Sequence, residues 1–142
     1  MDRQRVLLVD DEEAVARGFA RVLEAAGYEV EFASNGLVAE RILRTSRFDA
    51  ALIDLFMPER EGLETVREVH RLYPDMGIVV ASGGFGTADV DLWLKVARAM
   101  GASSALRKPV SSLDLLEALK GAIAGKAPGD GSPKNPLDPV AT

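Results

Sequence analysis

Five side chains of this 142-residue chain could do chemistry together, although they lie far apart along it. Asp10 and Asp11 follow one apolar run, Asp54 ends a second, Ser82 ends a third, and Lys108 comes just after a fourth. Three carboxylates brought close together repel and raise one another's pKa. A hard divalent cation relieves that repulsion, and Mg2+ takes one or two carboxylates plus waters and phosphate oxygens. Such a metal neutralises charge that develops on a phosphoryl group during in-line transfer. Lys108 adds a compact positive charge for the same oxygens, and Ser82 adds a hydroxyl donor. The chemistry of this set is phosphoryl transfer, with Asp54 as the nucleophile, since aspartyl phosphates are established covalent intermediates.

Taken singly, each residue has an ordinary explanation. Asp10 and Asp11 suit the cap of a helix, and Asp54 before a Pro-containing turn suits a turn acid. Ser82 suits a local structural hydroxyl and Lys108 a solvated surface lysine. The functional reading therefore depends on whether the chain brings them to one place.

The elements that must position them are legible as alternating strands and helices. Arg5 to Val9 is a short buried strand, and Val15, Phe19, Val22, Leu23 and Ala26 then mark the inner face of a helix that Gly27 ends. Tyr28 to Ala33 forms a second strand, and Val38, Ala39, Ile42 and Leu43 form a second helix face. Ala50 to Asp54 is a third strand, stopped at Pro58, which has no N–H to continue a ladder. A third helix is expected over Gly62 to Tyr73 and a fourth strand over Gly77 to Ser82. Trp93, Val96, Ala97 and Met100 give a fourth helix, ended by Gly101, and Ser104 to Arg107 a weak fifth strand. Ser111 to Asp114 resembles a capping box that opens a last helix with Leu115, Leu116, Leu119 and Ile123 inward.

Five strand–helix alternations imply a doubly wound parallel α/β sheet with right-handed crossovers. In such a sheet ligands bind at the carboxyl ends of the strands. All five chemical residues fall at those ends, and this convergence carries the functional reading.

Val9-Asp10-Asp11-Glu12, Asp54-Leu55-Phe56-Met57-Pro58, Ser82-Gly83 and Lys108-Pro109, in that order, resemble the receiver domain of two-component response regulators. The resemblance runs from Val6 to about Ala124. It implies a flavodoxin-like (βα)5 fold with strand order 2-1-3-4-5. It further implies Asp54 as phospho-acceptor, Asp10 and Asp11 as the acidic pair holding Mg2+, and the backbone carbonyl of Phe56 as a further metal ligand. Ser82 would be the switch hydroxyl and Lys108 the phosphate partner. The sequence departs from the pattern at Ala105, where receivers often carry an aromatic switch residue. A coupled rotation of hydroxyl and ring cannot operate there.

The domain is expected over residues 1–124, with 125–142 a disordered tail or linker stub, because Lys126 to Thr142 holds four of the seven prolines and little apolar bulk. A net charge of −5 argues against a DNA-binding face, and the lack of cysteine excludes disulfides and thiolate metal sites. The four-residue apolar run Val6 to Val9 is too short for a signal peptide or membrane span, so a cytoplasmic protein is expected.

The implied partners are a sensor histidine kinase and either a downstream target protein or a histidine phosphotransfer protein, with homodimerisation left open. The chain is not expected to be an enzyme beyond its own phosphorylation and dephosphorylation. Two alternatives stand beside this reading, a phosphate-independent adaptor and a phosphohydrolase with Asp54 as nucleophile. The latter needs a second acid two positions after the nucleophile, where Phe56 stands. Other features read as structural: His70 as a surface histidine, Glu59 to Glu61 as a solvated turn, Trp93 as packing. The Gly83 to Gly86 loop lacks P-loop residues; it is expected to order on phosphorylation.

Overall fold

The structure is a computed structural model, and it describes residues 3–55, 59–83 and 90–125. Five strands alternate with five helices: β1 (Arg5–Val9), α1 (Glu13–Ala25), β2 (Glu29–Ala33), α2 (Gly36–Thr45), β3 (Ala50–Asp54), α3 (Glu59–Leu72), β4 (Gly77–Ser82), α4 (Val90–Ala99), β5 (Ser104–Arg107) and α5 (Ser112–Ala124). The strands form one sheet in the order β2-β1-β3-β4-β5, and every pairing is parallel. The expected flavodoxin-like order is therefore observed.

Alternation along each strand divides the core in two, as a period of two requires. Leu7, Val9, Ala51, Ile53, Ile78 and Val80 face α2, α3 and α4, together with Leu43, Leu63, Val66, Val69 and Ala97. Val6, Leu8, Ala50, Leu52 and Val79 face α1 and α5, meeting Leu23, Leu115 and Leu119. All of β3 and β4 is buried, as strands covered on both faces must be. Burying each such aliphatic side chain contributes roughly 1.5–3 kcal/mol, so the sheet is held rigid up to its carboxyl edge.

Two helices end on glycines in the left-handed region. Gly27 (φ 98°) donates to the Glu24 carbonyl at 3.0 Å and Tyr28 to Leu23 at 3.1 Å; Gly101 (φ 124°) and Ala102 repeat the arrangement with Arg98 and Ala97. Tyr28 is thus consumed by the helix cap, and β2 starts at Glu29, one residue later than its apolar alternation predicts. Ala26 is the helix cap and is exposed, whereas Ala16 and Leu23 are the fully buried residues of α1.

The third helix begins at Glu59 rather than Gly62. Apolar periodicity cannot register a polar first turn, although acidic residues there favour the helix dipole. Glu59 to Glu61 is therefore helix, not turn. His70 also departs from expectation, being 7% exposed. It packs on the turn after α4, where a Cβ on Gly101 would lie 2.3 Å from His70 Cγ. Ser111 caps α5 as expected, its hydroxyl accepting from Asp114 N at 3.0 Å.

Candidate functional site

Parallel register brings the strand ends level. Val9 pairs with Ile53, Asp54 with Ala81, and Ser82 with Arg107, so Asp10 and Asp54 emerge side by side with Ser82 and Lys108 just beyond. Backbone bonds carry the ladder past the strands: Asp10 N donates to Ala33 O at 3.0 Å, Leu55 N to Ala81 O at 2.7 Å, and Lys108 N to Ser82 O at 2.9 Å. The side chains thus start from fixed backbone, as a preorganised site requires.

Asp54 is completely buried, and Lys108 Nζ donates to its Oδ2 at 2.5 Å. The lysine side chain is only 18% exposed. Two neighbours that sequence reasoning did not single out hold it. A Cβ on Gly83 would come within 2.8 Å of Lys108 Cβ and 3.0 Å of its Cδ, so only glycine lets the stem pass. The ammonium also sits 5.7 Å from the centre of the Phe19 ring, within cation–π range. Phe19 had been read only as an inward residue of its helix. No sequence signal links position 83 or 19 to position 108; the contacts are tertiary.

Asp10 is also completely buried. Its Oδ1 accepts from Glu12 N at 2.9 Å, while Oδ2 has no hydrogen-bond partner among the described residues. Burial pushes its carboxyl up to about 7, and the adjacent Asp54 carboxyl adds to the shift; the Glu12 amide and Lys108 oppose it. Ser82 is 2% exposed at the end of β4, and Asp11 is exposed at the rim. Five of the six residues singled out from the sequence therefore lie at one sheet edge. The sixth, Phe56, lies outside the described residues, as do Gly84 to Gly86 of the glycine loop and residues 126–142.

An orphaned buried carboxylate oxygen beside a second buried carboxylate fits a divalent cation. Among the described residues no three acidic, histidine or cysteine side chains form a ready cage.

Ala105 lies on β5 opposite Val80, half-buried, with no ring to move. Among the described residues no helix is long and apolar enough to cross a membrane.

Residues 6–120 match the response regulator receiver domain, and the chain belongs to that family. The response regulator MprA of Mycobacterium sp. (strain KMS) is 31% identical over 144 residues, covering 96% of this chain and 60% of that protein. The chain thus spans less than two thirds of that relative's length. A CheY-like receiver domain from Methanospirillum hungatei JF-1 superposes with a TM-score of 0.74 at 30% identity, covering 88% of this chain and 97% of its own. A response regulator from Burkholderia pseudomallei, solved with a phosphorylated aspartic acid, a calcium ion and citrate, gives a TM-score of 0.72 at 29% identity, covering 85% of this chain and 69% of its own. These likenesses make the chain a signalling receiver of the two-component class.

Proposed function

We propose that Asp54 accepts a phosphoryl group from the phosphohistidine of a sensor kinase, or from a small acyl phosphate, and that this modification switches binding to a partner. The observation that carries the reading is the buried Lys108–Asp54 contact beside the buried Asp10 carboxyl, whose Oδ2 has no hydrogen-bond partner among the described residues. A carboxylate oxygen of Asp54 attacks phosphorus in line. The new O–P bond forms as the donor's N–P or O–P bond breaks, and the leaving group keeps the electron pair. Asp10, Asp11 and Asp54 would hold Mg2+, with the Phe56 carbonyl as a further expected ligand. When bound, the ion neutralises charge on the phosphoryl oxygens.

Lys108 moves from the carboxylate oxygen to a phosphoryl oxygen, keeping its ion pair as the negative charge grows. Ser82 donates its hydroxyl to another phosphoryl oxygen. The acyl phosphate at Asp54 carries roughly 1.5–2 negative charges where the carboxylate carried one, so the site gains about 0.5–1 negative charge. Carrying a switch from mostly off to mostly on takes about 5.5 kcal/mol of differential stabilisation. Lys108, Ser82 and the metal are the available sources, and with Ala105 in place of an aromatic residue the output does not run through a ring flip.

The receiver occupies residues 1–124, followed by a tail or linker over 125–142, and works in the cytoplasm. It signals to a target protein or passes phosphate to a histidine phosphotransfer protein. The decisive experiment is incubation with acetyl phosphate and Mg2+, read by intact mass. A gain of one phosphoryl group that is lost in Asp54→Asn and kept in Asp49→Asn is the expected result. Labelling retained in Asp54→Asn overturns the assignment. Labelling of no variant by any donor leaves a phosphate-independent adaptor.

A further inference from the structure

A second concave surface lies at the opposite end of the sheet, and nothing in the phosphoryl-acceptor reading uses it. It is a groove of about 880 Å3 between the start of β1 and the ends of α2 and α3, within the usual size of ligand clefts. Four arginines line it, Arg3, Arg5, Arg44 and Arg47, against two aspartates, Asp49 and Asp75. With Arg5 balanced by Glu29 and Glu31, three arginines face these two aspartates, a small positive excess in a chain whose net charge is −5.

The walls are pinned. Arg5 lies over the Phe48 ring at 4.4 Å, pairs with Glu29 and Glu31 on β2, and donates to the Arg47 carbonyl at 2.8 Å. It thereby holds the connection that presents Arg47. The Tyr73 hydroxyl donates to the Leu43 carbonyl at 3.0 Å and ties the end of α3 to that of α2. Asp49 accepts from Arg5 N at 2.8 Å, so one of the two acids is committed to the scaffold.

Arg3, Arg44 and Arg47 are different. All three are exposed, and none forms an ion pair among the described residues. Arg44 alone would be ordinary, since a cation in a last helical turn complements the dipole. Three guanidiniums without an ion pair among the described residues, Arg3 before β1 and Arg44 and Arg47 around the end of α2, lining one pinned groove are not explained that way. Beside them Leu72 is 38% exposed, an apolar contact within the charged rim.

We propose that this groove docks an acidic, amphipathic segment of a partner protein, with carboxylates on the three free arginines and an apolar side chain on Leu72. Guanidinium forks bind carboxylates in pairs, and the apolar contact favours a peptide over a simple anion. The groove lies at the far edge of the sheet from Asp54, so docking is independent of the acceptor assignment.

The test uses a short fluorescein-labelled peptide of glutamate pairs separated by leucine, read by anisotropy on the full, unphosphorylated chain. Binding that weakens with salt is expected, with no binding of the lysine counterpart. Arg44→Glu/Arg47→Glu should weaken it more than about tenfold through like-charge repulsion. Leu72→Gln should weaken it about threefold through lost apolar burial, with the salt dependence unchanged. Arg44→Ala/Arg47→Ala, which introduces no repulsion, should fall between wild type and the reversal. Unchanged circular dichroism and unchanged acetyl phosphate labelling would show that the variants are folded. The proposal fails if the acidic peptide does not bind, or if folded reversal variants bind it as well as wild type. It also fails if inorganic tripolyphosphate displaces the peptide fully at equal charge, or if single-stranded DNA binds more tightly.

Discussion

At the carboxyl edge of the sheet charge is buried, and at the amino edge it is left in water. Asp10 and Asp54 are fully buried and Lys108 nearly so, whereas Arg3, Arg44 and Arg47 stand exposed around a groove. Burying an ion is expensive unless it is paired and hydrogen-bonded. Among the described residues the first edge is satisfied only in part, because Lys108 answers Asp54 while Oδ2 of Asp10 has no hydrogen-bond partner there. Exposed arginines cost almost nothing to keep, and beyond the favourable place of Arg44 in a last helical turn their presence contributes little to stability. Charge at the carboxyl edge is therefore coupled to the stability of the fold, and charge around the groove is not.

Breaking that coupling should have its largest effect at Lys108. Lys108→Ala leaves Asp54 buried without its ammonium, and removing one member of a buried pair costs about 3 kcal/mol. Chemical denaturation should read that loss, together with much slower labelling by acetyl phosphate. An unchanged midpoint would mean that the carboxyl edge tolerates buried charge better than this contrast holds. Gly83→Ala comes next. Its new methyl meets the lysine stem at 2.8 Å, and overpacking of this kind costs about 2 kcal/mol. The same variant should slow labelling more than it lowers stability, since the displaced group is the one proposed to meet phosphate.

Asp10→Asn should act in the opposite direction. It removes a buried charge whose carboxyl is pushed up to about 7 by burial and by Asp54, and it should stabilise the protein in EDTA by about 1.4 kcal/mol per unit of pKa shift relieved, at most. Saturating Mg2+ should narrow the gap, because the wild-type carboxylate then gains its counter-charge. A lower melting temperature for Asp10→Asn in EDTA would refute the picture of a repulsive, partly unsatisfied site. The smallest effect is expected at the other edge. Tyr73→Phe deletes one hydrogen bond to the Leu43 carbonyl and should cost about 1 kcal/mol with labelling untouched.

Much of this was legible before any coordinates. Apolar runs located β1, β3 and β4 to the residue, because strands buried on both faces read as unbroken hydrophobic segments. Asp10, Asp54, Ser82 and Lys108 could be placed at one edge because a parallel sheet puts all its carboxyl ends together. Boundaries set by polar or capping residues were less visible. α3 starts three residues before its apolar face, and Tyr28 belongs to a helix cap despite fitting the strand's alternation. His70 was read as a surface residue because no partner cluster accompanies it in the sequence, yet it stands four residues after Val66 and seven after Leu63, on the buried face of α3. Its cover comes from Gly101, 31 positions away.

Sequence by itself determined the fold class, the order of the elements and which polar residues end the strands, because each depends on local periodicity and on residue type. Only the tertiary structure decided which of those residues touch. The Lys108–Asp54 pairing, the passage of the lysine stem over Gly83, the ring of Phe19 beneath its ammonium and the solitary oxygen of Asp10 all depend on distances between separate elements. The same holds for the arginines of the far groove, one pair at the start of β1 and one around the end of α2, which meet only because β1 begins where α2 ends. Periodicity encodes which face of an element turns inward; it carries no measure of what that face will meet.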